Sequence, residues 1–371
     1  MAIHTIIESI LFLAIIGIII LIVIYWAGSP NVLFQDLSNS IRINTSIPNR
    51  IQNISYPSTT IRQNYIPYNA AISYALSLIN NDRAKFGLPP VSYSNESSAQ
   101  QHANSMQYYD YFSHWDIYGL KPYMRYALLA DNQSNQSVDE NIAFISNSSG
   151  INVTNALYDM EYSFVYNDSA EQNGHRDNIL NPQHNEVSIG IAYNATKIYF
   201  VEDFINDYVS WFYGTPSFND GVVQLKGRAS GSYVLSEVLV TYDPTPVDMS
   251  TNQLNRTKAY SYGSTIAGIG YKKGTEIYSY QNLTTINATN YIVQGGSFSV
   301  SFDMSSLIAN HGAGVYTVML LLSNTNSTYL ASIPNLLNLL NESNPAPYEQ
   351  FPVTYTIFIN ASGKRYKPNK I

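Results

Sequence analysis

The sequence predicts an α+β protein in which an α/β sandwich is followed by an all-β sandwich of immunoglobulin-like type, with one transmembrane helix at the N-terminus. Three observations support this prediction. An unbroken apolar run covers residues 10–26, and apolar residues recur at helical spacing from Tyr68 onward. After Tyr208, short β-branched and aromatic runs are separated by Gly, Asn and Pro. A chain of 371 residues is long enough for two such domains.

The changes in composition along the chain define the predicted domain boundaries. The apolar run is followed by a stretch rich in Asn, Ser, Thr and Pro that shows no sustained period of 2 or 3.6. The pattern then becomes helical, and later strand-like. We predict a transmembrane anchor or signal segment at 1–27, a polar stalk at 28–67, a first domain at 68–207, a β-sandwich domain at 208–362 and a basic tail at 363–371.

The N-terminal apolar run predicts a membrane anchor. Together with Ile6 and Ile7 it reaches the roughly 20 residues that a helix needs to cross a bilayer, and Tyr25 and Trp26 suit the interface. A cleaved signal peptide is the alternative, but its apolar core usually spans only about 7–15 residues and follows a basic region that is missing here. A pilin-like leader would need a basic processing site, which is also missing. We therefore predict a single-span cell-membrane protein with its remaining domains outside the cell.

Composition narrows the class of protein further. Charged residues make up only 12% of the chain and the net charge is -7, which argues against nucleic-acid binding because phosphates require a basic surface. There is no cysteine, so disulfides and thiol chemistry are excluded. Fifteen Asn-x-Ser/Thr acceptors for N-glycosylation all follow the apolar run. In these respects the chain resembles an archaeal membrane-anchored cell-surface glycoprotein.

Helix and strand signals alternate in the first domain. Ile72, Leu76 and Ile79 lie on one face of a predicted helix that ends at Gly87, before two prolines. Further signals predict a second helix from Asn95-Glu96 to about Tyr108, a third helix at 153–165, and strands near 187–193 and 197–204. Helices and a small antiparallel sheet would thus share one core.

The second domain contains runs typical of strands at 222–227, 234–242, 298–304, 314–322 and 353–359. Their spacing, without long helical stretches between most of them, favours a β-sandwich. An insertion at about 329–341 predicts a short helix on its edge. The single histidine of this half, His311, lies in a predicted loop at 310–314 and is interpreted as structural. The basic tail is interpreted as a solvated end.

The residues with catalytic or metal-binding chemistry are concentrated between His114 and His175. Three motifs occur there, namely Phe112-Ser113-His114, Asp139-Glu140-Asn141-Ile142-Ala143 and Gly174-His175-Arg176-Asp177-Asn178-Ile179-Leu180. Neutral imidazole and ionised carboxylate are both good ligands for zinc. The motifs therefore predict a divalent-metal site or an acid/base site.

In their order and spacing these motifs resemble the CAP superfamily, which comprises proteins of the cysteine-rich secretory, antigen 5 and pathogenesis-related 1 type. The flanking stretches extend the resemblance to about residues 68–205: residues 78–91 resemble the first helix and its exit turn, 99–106 the second helix, and 187–193 and 198–204 the two closing strands. Ser188 stands where the family usually has glycine. The resemblance implies an α/β/α sandwich.

The resemblance also implies a cleft floored by two His and two Glu. It places three of them at His114, Glu140 and His175, and these would be the ligands of Zn²⁺ or another divalent metal. We expect the second glutamate at Glu161; Asp159 and Glu171 are the alternatives. The other two histidines of the domain are interpreted as structural or exposed residues, and they are His102 and His184.

The expected function is binding of a divalent metal or a small ligand in this cleft, in a protein that interacts with cell-surface proteins, glycans or lipids. The alternative is a metal-dependent extracellular hydrolase of peptidase type, in which the same four residues are catalytic. A metal-bound water would then be the nucleophile and the second carboxylate its general base. No Ser or Cys nucleophile motif is present in the sequence.

Overall fold

The computed structural model describes residues 66–129, 136–257, 259–270, 272–273, 276–277, 283–324 and 350–368. The predicted membrane anchor, all but the last two residues of the predicted stalk and the predicted edge helix at 329–341 lie outside these residues. Among the described residues, no helix is both long and apolar enough to cross a membrane.

The helices of the first domain include the three that the sequence predicts. The observed helices are α1 (Tyr68–Lys85), α2 (Ser98–Tyr109), α3 (Pro122–Leu129), α4 (Val153–Tyr166) and α5 (Gly174–Ile179), with a 3-10 turn at Ser169–Glu171 between the last two. Helix α2 begins three residues after its predicted start at Asn95. The two helices that the sequence did not predict are α3 and α5, which span only eight and six residues.

A four-stranded sheet forms the middle of this domain. Its strands are β1 (Ser92–Tyr93), β2 (Ser137–Ser146), β3 (Glu186–Tyr193) and β4 (Lys197–Asn206), in the order β1-β3-β4-β2. Strands β2 and β3 run antiparallel to β4, and the register pairs Glu140 with Asp203 and Asn141 with Glu202. Successive side chains of a strand point to opposite faces. Glu140 and Asp203 therefore share one face of the sheet, and Asn141 and Glu202 share the other.

Helices cover both faces of this sheet. On one face, Ala103 and Met106 of α2 pack with Ile142 and Val201 in a buried cluster. Helix α2 comes so close to β3 that a Cβ on Gly190 would lie 2.1 Å from a backbone oxygen of α2, so only glycine fits there. On the other face, apolar residues of α1 and α4 pack against β3 and β4. The domain is thus an α/β/α sandwich in which each face of the sheet has its own core.

Arg83, at the end of α1, links the helix by hydrogen bonds to the loop before β3. Its side chain is fully buried and donates hydrogen bonds to the carbonyl oxygens of Pro89, Ile179, Asn181 and His184, at 2.7–3.1 Å. A buried guanidinium is tolerated when its donors are satisfied in this way.

The second half of the chain contains two five-stranded sheets that pack face to face. Its strands are β5 (Val209–Trp211), β6 (Ser217–Asn219), β7 (Val222–Ala229), β8 (Tyr233–Pro244), β9 (Ser264–Gly270), β10 (Lys272–Lys273), β11 (Glu276–Ile277), β12 (Thr284–Asn287), β13 (Asn290–Gln294), β14 (Ser297–Asp303), β15 (Gly314–Asn324) and β16 (Gln350–Ile359). One sheet has the order β12-β9-β8-β15-β16, and the other has the order β13-β14-β7-β5 with β6 paired to β7. One buried cluster contains residues of both sheets. The immunoglobulin-like type of this sandwich stays a prediction.

Two short helices, α6 (Thr251–Leu254) and α7 (Ser305–His311), interrupt the strands. The prediction that His311 lies in a loop was wrong, because α7 extends to this residue and the loop begins at Gly312. The ring of His311 packs against that of Tyr242, with 5.1 Å between the ring centroids. Tyr242 also donates its hydroxyl to the His311 carbonyl oxygen at 3.0 Å.

Helix α3 joins the two halves. Tyr123 and Met124 pack in a buried cluster with Val315 and Phe358, which lie on β15 and β16. Beside this cluster, Lys121 Nζ lies 2.6 Å from Asp243 Oδ1 in a buried ion pair. The described residues of both halves therefore belong to one compact unit.

Candidate functional site

Glu140, from the second motif, lies at the centre of a buried polar cluster. Its Oε1 is 2.9 Å from His114 Nδ1, and its Oε2 accepts a hydrogen bond of 2.6 Å from Arg125 Nη2. Only 2% of its surface is exposed. Burial raises the pKa of Glu140 to about 7, while the charge of Arg125 opposes that rise. The carboxyl group is thus held between a histidine and an arginine.

Arg125, on α3, also fixes the loop that carries His114. It donates hydrogen bonds to His114 O at 2.7 Å and to Leu120 O at 2.9 Å, so it holds both ends of that loop as well as the carboxyl of Glu140. Sequence reasoning missed this residue because Arg125 belongs to none of the motifs. A buried arginine with two carbonyl acceptors and a carboxylate is a stabilising arrangement only while all partners are present.

Two more buried titratable groups border Glu140. Asp203 accepts a hydrogen bond from Ser98 Oγ, and burial, followed by the neighbouring charge of Glu140, raises its pKa to about 8. His102 Nε2 lies 2.9 Å from Ser113 O, and burial lowers the pKa of His102 well below its usual value. His102 is therefore a neutral residue that supports the loop beside His114.

The other two predicted site residues, Glu161 and His175, lie on the opposite face of the sheet, beside Asn141 and Glu202. Asn141 donates hydrogen bonds to His175 O and to Glu202 Oε2, both at 3.1 Å. The pKa values of Glu161 and Glu202 are both raised, first by burial and then, for Glu161, by the adjacent carboxylate of Glu202. The pKa of Glu202 reaches about 7. Two adjacent buried carboxyls cannot both ionise readily, so this pair holds a proton in neutral solution.

His175 has its own acidic partner. Its Nδ1 lies 2.6 Å from Asp168 Oδ1, and its ring stacks on Phe164 with 4.6 Å between the centroids. The alternatives proposed for the second glutamate, Asp159 and Glu171, are both exposed, whereas Glu161 is buried. Asp168 and Glu202 were missed by the sequence reasoning. The signal for Glu202 was available, since it lies in a stretch that resembles a closing strand of the family.

The structure therefore gives the predicted metal ligands separate partners. His114 and Glu140 contact each other on the α2–α3 side of the sheet, while His175 pairs with Asp168 on the α4–α5 side. Among the described residues, no three His, Asp or Glu side chains are arranged so that they could hold one metal ion. The arrangement thus does not fit a three-ligand centre formed by His114, Glu140 and His175. Zinc binding stays a prediction.

His184, the remaining histidine of this domain, is buried. Its Nδ1 lies 2.8 Å from Asn206 Oδ1, and burial lowers its pKa to about 4. Like His102 it is neutral, and its carbonyl oxygen accepts one of the hydrogen bonds from Arg83.

A segment of the second half covers the His114–Glu140 pair. We name residues 245–257 and 259–263, between β8 and β9, the crossover segment. The hydroxyl of Tyr260 accepts a hydrogen bond from Glu140 N at 2.8 Å, and its ring lies 4.9 Å from that of His114, centroid to centroid. Asn255 Oδ1 accepts from Phe112 N at 2.8 Å, and Leu254 is fully buried beside α2. No local sequence pattern predicted these contacts.

Comparison with known families identifies residues 76–204 as a match to the CAP model, described as the cysteine-rich secretory protein family. The match covers a little over a third of the chain and contains all four predicted site residues. It confirms the resemblance that the motifs indicated. A comparison with curated proteins finds no significant match.

Among solved structures, three similar chains come from bacteria. An extracellular protein of Bacillus anthracis containing an SCP domain is 24% identical, with a TM-score of 0.29 over 41% of this chain and 45% of that one. An outer surface protein of Borrelia burgdorferi is 17% identical, with a TM-score of 0.30 over 38% of this chain and 96% of that one. The CAP domain of enterococcal PrgA is 12% identical, with a TM-score of 0.28 over 39% of this chain and 65% of that one. The present chain thus spans less than half of the Bacillus anthracis protein and slightly under two thirds of the PrgA chain.

Proposed function

We propose that this chain, whose residues 76–204 are a CAP domain, is an extracellular, membrane-anchored binding protein. In this proposal the apolar run at 10–26 anchors it, and the domains outside the cell bind a small ligand or a component of the cell surface, such as a protein, glycan or lipid. The extracellular location is supported by the dense N-glycosylation acceptors and by the description of the similar Bacillus anthracis protein as extracellular.

The observation that favours a binding protein over a hydrolase is the engagement of Glu140, which argues against a catalytic role for this residue. A general base or metal ligand needs a free oxygen within reach of the reacting group. Both oxygens of Glu140 are already occupied, one by His114 and the other by Arg125, and the side chain is buried under Tyr260 and the crossover segment. This arrangement supports a structural role for the pair, which holds the loop at 112–118 in a fixed shape.

Zinc titration by calorimetry on the intact chain in detergent tests the structural role of the His114–Glu140 pair. We compare wild type with the double variant His114→Ala/His175→Ala, and use His311→Ala as the control because His311 is exposed and lies in the other half. If the pair is structural, wild type and the double variant both give no zinc heat, and the double variant unfolds at lower denaturant concentration. Tight one-to-one binding that only the double variant loses would contradict the structural role and establish a metal centre.

A hydrolase is the second candidate, and one observation favours it. Glu202 has a pKa of about 7, and its carboxyl lies beside Glu161 and close enough to His175 for that imidazole to influence its charge. A carboxyl that titrates near neutral pH beside a partly exposed histidine is suited to proton transfer. Peptide and ester hydrolysis, with and without added zinc, would be measured for wild type, Glu161→Gln and His175→Ala. Equal rates in all three, and in a buffer blank, would exclude this candidate.

A further inference from the structure

The first domain's sheet has one end at which β2 finishes and the turn between β3 and β4 lies. We name this end, with the turns at residues 147–150 and 194–196, the turn end. The described chain begins here, because Ile66 O accepts a hydrogen bond of 3.3 Å from the hydroxyl of Tyr193, the last residue of β3. Helix α1 starts two residues after Ile66. The segment that carries the predicted membrane anchor therefore joins the domain at the turn end.

Large aromatic side chains are exposed at the turn end. Helix α2 ends there with Tyr108, which is 78% exposed, and with Tyr109, whose ring centroid lies 4.8 Å from that of Tyr108. Tyr68, at the start of α1, and Phe144, near the end of β2, are 41% and 43% exposed. We name these four residues the aromatic collar. Burial of such rings against an apolar partner would be favourable.

The contacts beneath the aromatic collar fix its position. Asp110, which follows α2, accepts a hydrogen bond of 3.0 Å from the hydroxyl of Tyr199 and pairs with Lys197. The ring of Phe144 stacks on that of Tyr199, with 5.8 Å between the centroids. The end of α2 is thus joined to β2 and β4. Because the collar is already ordered, contact with a partner would cost little conformational entropy.

The charges at the turn end balance each other. Lys197 and Asp110 form an ion pair, and the turns at 147–150 and 194–196 contain no charged residue. Aromatic rings among neutral polar groups match the interfacial layer of a bilayer, where tyrosine is enriched because it combines an apolar ring with a polar hydroxyl. The composition of the turn end therefore suits a lipid surface.

The length of chain before Ile66 keeps the domain near the membrane. The apolar run ends at Trp26, and residues 27–65 can reach at most roughly 130–140 Å when fully extended. Tethering within that distance gives the bilayer a high effective concentration at the domain. A weak contact through the aromatic collar is then sufficient to orient the domain.

We propose that the turn end contacts the outer surface of the membrane in which the chain is anchored, with the aromatic collar in the interfacial layer. This inference rests on the proposed function, because it needs the apolar run at 10–26 as the anchor. Strand β4 runs from the turn end toward β5, so β5 lies at the end of the sheet that faces away from the bilayer.

Three N-glycosylation acceptors at the turn end set a condition on this proposal. The side-chain oxygen of each accepts a hydrogen bond from a backbone N–H two or three residues later. Such turn and helix-capping positions favour asparagine, which accounts for these residues without a glycan. A glycan at any of them would hold the aromatic collar away from the bilayer. We therefore expect all three to be unmodified, and they are Asn147, Asn152 and Asn194.

Fluorescence quenching by lipid tests the contact. The chain has no cysteine, so a single introduced cysteine places a fluorophore at one position. Ser148→Cys labels the turn end, and Ser230→Cys is the matched control, because Ser230 is an exposed residue in the turn between β7 and β8. Each labelled intact chain is reconstituted into phosphatidylcholine vesicles with and without a nitroxide-bearing lipid. We expect the probe at 148 to be quenched at least about threefold more strongly, because it would lie beside the interfacial layer.

Substitutions in the aromatic collar test the cause of the quenching. In the chain labelled at 148, Tyr108→Ser with Tyr109→Ser should remove most of it. Phe212→Ser with Tyr213→Ser is the control, because these residues are also adjacent, aromatic and exposed but lie in the second half; it should leave the quenching unchanged. Thermal melts check folding, and we expect both pairs to melt as wild type does, because all four side chains are exposed.

Carbonate extraction of the vesicles separates this inference from the proposed function. A chain that washes off the vesicles would refute both the anchor and the bilayer contact. The contact alone is refuted if the chain stays in the vesicles but the two probes are quenched equally, or if the collar substitutions leave the quenching unchanged. A glycan found at any of the three acceptors, by mass spectrometry of the chain from its own cells, would also refute the contact while leaving the extracellular location in place.

Discussion

Replacing Arg125 with methionine is the sharpest test of the buried cluster, because the Arg125 side chain donates hydrogen bonds to three different oxygens. The substitution preserves much of the aliphatic stem but removes the hydrogen bonds that Arg125 donates to His114 O, Leu120 O and Glu140 Oε2. Leu120 O keeps the hydrogen bond of 3.1 Å from Asp116 N. Removing one partner of a buried ion pair costs about 3–5 kcal/mol, and each lost hydrogen bond to a carbonyl oxygen adds roughly 0.5–1.5 kcal/mol.

Protonation limits the total cost. The charge of Arg125 opposes the rise in the pKa of Glu140, which is about 7 with the arginine present. Without Arg125 that pKa rises further, so Glu140 becomes neutral at pH 7 and avoids being a buried unpaired charge. We therefore expect Arg125→Met to lower the free energy of unfolding by about 4–7 kcal/mol, which is the lower half of the ion-pair range plus the two lost carbonyl hydrogen bonds.

The assay is guanidinium denaturation followed by circular dichroism, with Glu140→Gln and the double variant completing a double-mutant cycle. Because Glu140→Gln removes the charge that Arg125 neutralises, we expect the double variant to be less destabilised than the sum of the two single variants. A loss of under about 1 kcal/mol for Arg125→Met, or strict additivity of the two substitutions, would refute the interpretation of Arg125 as the residue that holds this cluster together.

Two further predictions concern pH and the crossover segment. Burial raises the folded-state pKa of Asp203 to about 8 and that of Glu202 to about 7. Each carboxyl favours the folded state while it is protonated, so this contribution to stability is lost as the pH rises toward 8. Denaturation midpoints should therefore increase as the pH falls from about 8.5 to 6.5. Below about pH 6.5 the gain is offset, because His102 and His184, whose pKa values are lowered, resist protonation in the folded state. Asp203→Asn should flatten the alkaline slope, and an unchanged slope would count against this assignment. The second prediction concerns Leu254→Ala, which should lower the free energy of unfolding by about 2–5 kcal/mol, because it leaves a cavity at a fully buried position where the crossover segment packs on α2. The exposed substitution Val247→Ala is the control. A smaller loss for Leu254→Ala than for Val247→Ala would show that the segment does not pack there.

Much of the first domain could be predicted from local signals. Helix α1 is visible in the spacing of Ile72 and Ile79, which are both buried, and it stops just before Gly87, whose φ of +74° suits glycine. The motifs around His114 and His175 identified the CAP domain because their residue types and order are specific. Helices α3 and α5 were not predicted because each spans at most eight residues, too few to establish a period.

The sequence by itself determined three of the helices of the first domain, its two closing strands and the similarity of residues 76–204 to the CAP family. Only the tertiary structure decided which polar side chains meet. The register of β2 against β4 sets Glu140 opposite Asp203, and the alternation of a strand then separates Glu140 from Asn141 and its neighbour His175. Contacts such as Glu140 with Tyr260 join residues far apart in the chain, and no local pattern encodes them. Only the folded chain brings such residues together, because strand register and side-chain packing depend on the whole core and not on residues adjacent in the sequence.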